Sequence, residues 1–370
     1  MAGADRARSP AVIKESRYLT WAKALPTAQY NVAGSGARPV TRAELGDPEP
    51  DAPLTERNDY GWPPLVARIA ARYGVSEGSV VVASGASMAN HLAIGALVAH
   101  GDHVLVEDPV YDPLELVPRL WGATVERFPR READGYRLDV GAIESRLEPA
   151  TRLVVLSNLH NPTGVVARDA DIIALAELAE QWGFHVLVDE VYREWLHGRS
   201  GDGGRSSAVM SPRMIATSSV TKALGLNALR IGWVLAEPGL ADRMRRFMGL
   251  FDNIVAHPSE RLAARALDRA DAILDVRRPL LAENKERVSV WVASTPGASW
   301  VPPAAGTIAW IDLGIGDTTE FAARLAREQS TLVVPGYLFD APGHIRVALG
   351  TEVGVLEEAL RRMGRVLSGT

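Results

Sequence analysis

Lys222 lies just beyond the apolar run Met214-Ile215-Ala216-Thr217, after Ser218-Ser219-Val220-Thr221. A lysine that follows a buried strand, among hydroxyls and ahead of a glycine-containing turn, is badly placed for a solvated charge and well placed to condense with a carbonyl as a Schiff base. Asp189 and Glu190 finish a second apolar run, Phe184 to Val188, with Tyr192 three residues beyond Asp189. A carboxylate at such a strand end commonly caps a helix, and it can also hold a proton on a cationic ring nitrogen. Ser84-Gly85-Ala86-Ser87 ends a strand and opens a helix. Its backbone N–H groups, the Ser87 hydroxyl and the positive helix end suit a phosphate, although a plain strand-to-helix turn uses the same residue types. Asn161-Pro162-Thr163-Gly164 alone is ordinary turn chemistry.

These residues need strand ends to stand on. Between Gly61 and about Pro238, short β-rich runs alternate with helical patterns: Val80 to Ala83, Val104 to Val106, Ala123 to Val125, Leu153 to Leu156, His185 to Val188, Met214 to Thr217 and Ile231 to Val234. Several are apolar on successive residues, as strands covered on both faces by helices must be. The pattern predicts an α/β domain with a mostly parallel, seven-stranded sheet between helices. In such sheets ligands bind at the strand ends. Pro63-Pro64 opens a predicted helix that stops at Gly74; others follow Ser87 and run from Ala170 to Trp182. After about Met248 a charged amphipathic stretch, Ser259 to Ala293, precedes strand-like Thr307 to Ile311 and Ile345 to Ala348, with helices from Thr319 to Gln329 and Glu352 to Leu367. The expected division is a large domain over residues 46–250 and a smaller α+β domain made from 251–370 with the N-terminal arm, 1–45. The polar, Pro-rich run Gly46 to Pro53 reads as a connector.

Composition removes several other readings. Of 370 residues, 47% are hydrophobic and 23% charged, which excludes a disordered or fibrous chain. The 40 Lys+Arg against 45 Asp+Glu, net −5, leave no surplus to neutralise nucleic acid or an anionic bilayer. With no cysteine there is no disulfide, thiolate metal site, iron–sulfur cluster or cysteine nucleophile. No run approaches the ~20 apolar residues of a membrane span, and Met1 to Pro26 carries charge without a signal-peptide core. The expectation is a cytoplasmic protein. The eight histidines form no HExxH or H-x-H cluster, so no metal is expected, and neither GxGxxG nor a P-loop occurs.

Taken together and in order, "SGAS" (Ser84 to Ser87), "DPVY" (Asp108 to Tyr111), "NPTG" (Asn161 to Gly164), "DEVY" (Asp189 to Tyr192), "SVTKALGLNALRIGW" (Ser219 to Trp233) and "HIRVALG" (His344 to Gly350) resemble the pyridoxal-phosphate-dependent aminotransferases of class I/II, fold type I. The resemblance spans most of the chain. It implies that Lys222 forms the internal aldimine and, once freed, moves the proton between substrate Cα and cofactor. It implies that Asp189 is the partner of the pyridinium, that Asn161 and Tyr192 bond the phenolic oxygen and that Tyr111 stacks on the ring. Gly85, Ala86, Ser87, Ser219 and Arg230 correspond to the phosphate cup, which Thr221 could join, and Arg346 to the arginine that grips the substrate α-carboxylate. The implied activity is ping-pong transfer of an amino group from an L-amino acid to a 2-oxo acid by a homodimer.

The match has departures. Many relatives carry, five residues before the position of Gly61, a tyrosine that reaches the neighbouring subunit's phosphate; here Glu56 stands there, and Tyr60 is at the wrong offset. Ala228 replaces a glycine two residues before the arginine. His160 reads as a loop residue, and Gly34-Ser35-Gly36 as either a flexible turn or part of an arm near the substrate. The same apparatus also serves lyases and specialised amino-acid-modifying enzymes of secondary metabolism. A DNA-binding regulator on this fold would need a basic helical module, for which too little chain precedes Pro63.

Overall fold

The computed structural model describes residues 15–46, 56 and 58–369. The predicted connector, apart from Gly46, lies outside them. Seven strands form the central sheet: β1 (Val80–Ala83), β2 (His103–Asp108), β3 (Thr124–Pro129), β4 (Thr151–Ser157), β5 (His185–Asp189), β6 (Met214–Ser219) and β7 (Gly232–Leu235). Their order is β1-β7-β6-β5-β4-β2-β3. Only β7 runs against its neighbours, pairing antiparallel with β1 and β6; every other pair is parallel. The sheet is therefore α/β and mostly parallel, with all but one strand ending at the same edge.

Alternation along these strands feeds two cores. Val81, Val104, Val106, Leu187 and Ile215 pack on one face with helices Ala86–Gly95 and Pro238–Met248. Leu105, Val154, Leu156, Val186 and Val188 pack on the other with helix Asp169–Trp182. Central strands buried on both sides cannot alternate with polar residues, which is why they were visible as continuous apolar runs. The edge strand β3 does alternate, and it begins one residue later and runs four residues further than the apolar run Ala123 to Val125 suggests. Helix Pro63–Tyr73 starts on its two prolines and stops at Gly74, whose φ of 68° is left-handed.

A second sheet of four antiparallel strands has the order Val334–Pro335, His344–Ala348, Ile308–Asp312, Ser299–Trp300. The amphipathic stretch before it is two helices, His257–Asp268 and Ala270–Ser294, separated at Arg269, whose φ of −110° leaves the helical range. Tyr30–Asn31 pairs in parallel with Thr331–Leu332, tying the N-terminal arm to this part of the chain. No helix among the described residues is long and apolar enough to cross a membrane.

Candidate active site

The helix Ala86–Gly95 begins directly after β1 with no side-chain cap, so its first N–H groups are free to bind an anion. Gly85 makes the entry with φ of 86°, and a Cβ there would sit 2.5 Å from Nη2 of Arg230. Arg230 is itself held in the left-handed region, φ 53°. That conformation, costly for a residue with a Cβ, folds its guanidinium back over the helix start, where it makes only long contacts to the carbonyls of Ser84 (3.4 Å) and Asn227 (3.5 Å). Gly232 permits the close approach: a Cβ there would lie 2.6 Å from the Ala86 nitrogen. Ser219 ends β6 opposite Gly232, and its Oγ accepts from the Thr221 N–H at 3.3 Å. Ser87 is exposed in the first helical turn. The result is a cationic cradle with unused donors.

Asp189 ends β5, pairs in register with Ser157 and Thr217, and is buried. Its Oδ2 accepts from Asn90 Nδ2 at 2.9 Å and its Oδ1 from the Val191 N–H at 3.1 Å. Asn90 in turn accepts from the Thr217 hydroxyl at 2.5 Å, which fixes the amide's orientation. Burial raises the Asp189 pKa above the usual carboxylate value, against the pull of Asn90, the Val191 N–H and Lys222. Among the described residues no basic side chain lies within ion-pair distance of it.

The amine of Lys222 donates to the Ser35 hydroxyl at 2.7 Å. Burial lowers its pKa, assisted by the positive charges of Arg346 and Arg230 and opposed by Tyr18 and Asp189. These couplings show that the charges of all four groups reach Lys222. Ala37 N–H donates to the Lys222 carbonyl at 2.8 Å, and Thr307 Oγ1 donates to the Ser35 carbonyl at 2.8 Å. Gly34-Ser35-Gly36 is thus no free turn; it lies on the lysine.

Arg346, on strand His344–Ala348, is 1% exposed and has no carboxylate partner among the described residues. Its Nη1 donates to Asn161 Oδ1 at 3.0 Å, its Nη2 donates to the Tyr18 hydroxyl, and its Nε has no partner. The Tyr18 and Phe339 rings each lie 5.1 Å from the guanidinium carbon. Asn161 is set by its own N–H, which donates to Ser157 Oγ at 3.0 Å; that hydroxyl donates to Glu107, which Arg130 pairs at 2.9 Å in the dry core. Burying a charge without a counter-ion is expensive. The site buries one of each sign, Arg346 and Asp189, and both act on the Lys222 amine.

The remaining expected residues gather here. Tyr111 meets Tyr18 edge-on, ring centroids 5.4 Å apart, and the charges of Asp189 and Tyr192 reach it. Burial pushes Tyr192 up to about 12, opposed by Arg346 and by a hydrogen bond with Ser35. Thr221 is partly exposed beside the lysine. His160 is wholly buried, bound to Thr163 Oγ1 at 2.7 Å and the Pro109 carbonyl at 2.9 Å, and burial holds its pKa well below normal. Glu56 points back to its own chain, 3.1 Å from His257 and 3.3 Å from Arg261.

Sequence reasoning missed Tyr18 and Asn90. Tyr18 sits on the helix Arg17–Ala24, which Ser16 caps; Asp112 accepts from the Ser16 hydroxyl at 2.7 Å and the Tyr18 N–H at 3.3 Å. Burial raises the Tyr18 pKa, but Arg346 and Lys222 outweigh it and hold the phenol below its normal value. Nothing in the arm's sequence marks it, since its position depends on long-range contacts. Asn90 did leave a signal: it is the polar residue among the helix's buried positions, beside Ala89, Leu92, Ala93 and Ile94.

An uncapped helix end under Arg230 fits a phosphate, the unpaired Asp189 fits a protonated ring nitrogen, and Lys222 fits an aldehyde. The profile of the family "Aminotransferase class I and II" matches residues 57–363. Capreomycidine synthase of Streptomyces vinaceus is 29% identical over 352 residues, covering 92% of this chain and 90% of that one. Arginine–pyruvate transaminase AruH of Pseudomonas aeruginosa is 28% identical, covering 86% and 88%. The crystal structure of a PLP-dependent aminotransferase from Streptococcus suis superposes with a TM-score of 0.87 at 27% identity, covering 93% and 94%.

Proposed function

The chain belongs to the class I and II aminotransferases, and from that premise we propose that the cavity around Lys222 is its active site. The protein is a fold type I, pyridoxal-phosphate-dependent enzyme that transfers an amino group from an L-amino acid to a 2-oxo acid. When bound, the cofactor supplies an aldehyde for amines and an electron-withdrawing ring.

The chain's own groups do the rest. Gly85 with the N–H groups of Ala86 and Ser87, and Ser219 with Arg230, hold the phosphate; Arg230 is suited to it by its planar fork of donors. Asp189 would hold a proton on the ring nitrogen. Tyr111 would cover one ring face, and Asn161 and Tyr192 would bond the phenolic oxygen. Lys222, its amine made less basic by burial, would be the nucleophile that holds the cofactor's aldehyde and, when free, the base that carries the proton from substrate Cα. Arg346 grips the α-carboxylate in a bidentate manner and so orients the Cα–H bond toward the lysine. A donor then leaves as its 2-oxo acid before the acceptor binds, a ping-pong cycle.

The observation that carries this reading is that Lys222 feels both a buried arginine with no carboxylate partner among the described residues, Arg346, and a buried carboxylate, Asp189. Single-turnover assays with a panel of amino acids test it. Formation of the amino form of the cofactor with a 2-oxo acid supports transamination; release of ammonia or carbon dioxide instead supports a lyase. That second reading, an amino-acid-modifying enzyme of secondary metabolism, is favoured by the capreomycidine synthase relative, as similar to this chain as the transaminase.

The proposal extends to a cytoplasmic homodimer, with residues 46–250 as the cofactor domain and 1–45 with 251–370 as the small one. The exposed apolar side chains of Leu250, Phe251 and Ile254 support a second copy covering that segment. The amino and oxo acids it would use are abundant in the cytoplasm.

A further inference from the structure

We propose that a cavity of about 340 Å³ outside the active site binds a small organic anion with an apolar body. It opens between the segment that follows β5, represented by Trp195, and the part of the chain built on the four-stranded sheet, represented by Leu281 and Leu349. Its volume lies within the range of small-molecule sites, which favour junctions between packed units.

The lining has two characters. Leu281, Leu349 and the 303–306 turn make apolar walls. Every charged lining group is a cation: Arg199, Arg278 and Lys285, with no carboxylate among the lining residues. Arg278 is partly neutralised by Asp275, 3.0 Å away, and also donates to the Trp195 carbonyl. Arg199 and Lys285 have no side-chain partner among the described residues. On a chain of net charge −5, three cations without a lining acid are a local inversion of sign. Trp195 also lines the cavity; it is 1% exposed, and its indole N–H has no acceptor, as is true of four other tryptophans of the chain. The charged lining groups are all hydrogen-bond donors, so a ligand that accepts suits them.

None of the groups around Lys222 lines this cavity, so the site is separate. It is nevertheless adjoining. Leu349 lies three residues beyond Arg346, and its N–H donates to the Thr307 carbonyl at 2.7 Å, while the Thr307 hydroxyl holds the Ser35 turn.

8-Anilinonaphthalene-1-sulfonate, an aromatic sulfonate, is a suitable probe, titrated by fluorescence and calorimetry against the holoenzyme. The expected result is saturable binding at one site per chain. It should weaken at least tenfold in the double variant Arg199→Glu, Lys285→Glu, whose parent side chains have no hydrogen-bond or ion-pair partner among the described residues, and stay near the parent value in the charge-conserving Lys285→Arg. Filling the cavity with Ala305→Trp should abolish it. A titration that does not saturate, or that the rim double variant leaves unchanged, overturns the proposal. A signal lost in Arg346→Ala but kept in the rim variant also overturns it, since the probe would then sit in the active site.

Discussion

Nη1 of Arg346 donates to Oδ1 of Asn161 at 3.0 Å, joining a strand of the four-stranded sheet to the loop that follows β4 of the seven-stranded one. In the proposed reading the first residue holds substrate and the second holds the cofactor's edge, so a single hydrogen bond sets the distance between them.

Arg346→Ala should therefore harm both binding and turnover. Two charge-assisted hydrogen bonds to a carboxylate amount to about 3 kcal/mol, so kcat/KM for an amino-acid donor should fall by about a hundredfold or more, with KM raised and kcat lowered. Arg346→Lys should recover only part, because a point charge cannot reproduce the fork. Steady-state kinetics decide; an unchanged kcat/KM would remove the residue's role.

Asn90 touches no expected ligand but holds Asp189 against Thr217. Asn90→Leu should leave the fold intact and weaken cofactor affinity by about tenfold, the effect of one hydrogen bond to a buried charge. A cofactor analogue with carbon in place of the ring nitrogen separates positioning from general damage. If Asn90 acts through Asp189 on that nitrogen, affinity for the analogue should be nearly the same in parent and variant. Equal losses for both compounds would make Asn90 merely structural.

Stability should fall on mild acidification. Burial, with Arg213 and Arg243 nearby, lowers the folded-state pKa of His185 from 6.5 to about 4. The unfolded chain then binds the proton more readily than the folded one, so the stability associated with neutral His185 is complete above pH 6.5 and is lost as pH falls from 6.5 to about 4. His185→Gln should flatten that part of a denaturation midpoint-versus-pH curve. An identical slope in the variant would contradict it.

The central strands and the order of the loops at their ends were legible because buried parallel strands write themselves as apolar runs, as in Leu153 to Leu156. Gly85, Asp189 and Lys222 could be placed at those ends for the same reason, whereas Arg230 entered only through the resemblance. Tyr18 could not, and Ser35 could be read only as a turn or as part of an arm near the substrate. They reach the site through contacts spanning 187 residues or more, Lys222 to Ser35 and Arg346 to Tyr18, and no local periodicity encodes such closure. The short strands Tyr30–Asn31 and Thr331–Leu332 were hidden likewise, since two residues are too few to show a period.

The central claim is that Lys222 is the amine that captures the cofactor. Borohydride reduction of the protein loaded with pyridoxal phosphate, followed by peptide mass mapping, tests it most directly. The expected product is one cofactor mass per chain, on Lys222, absent in Lys222→Ala. Label on another lysine, or a chain that remains unlabelled and colourless with excess cofactor, would contradict the account.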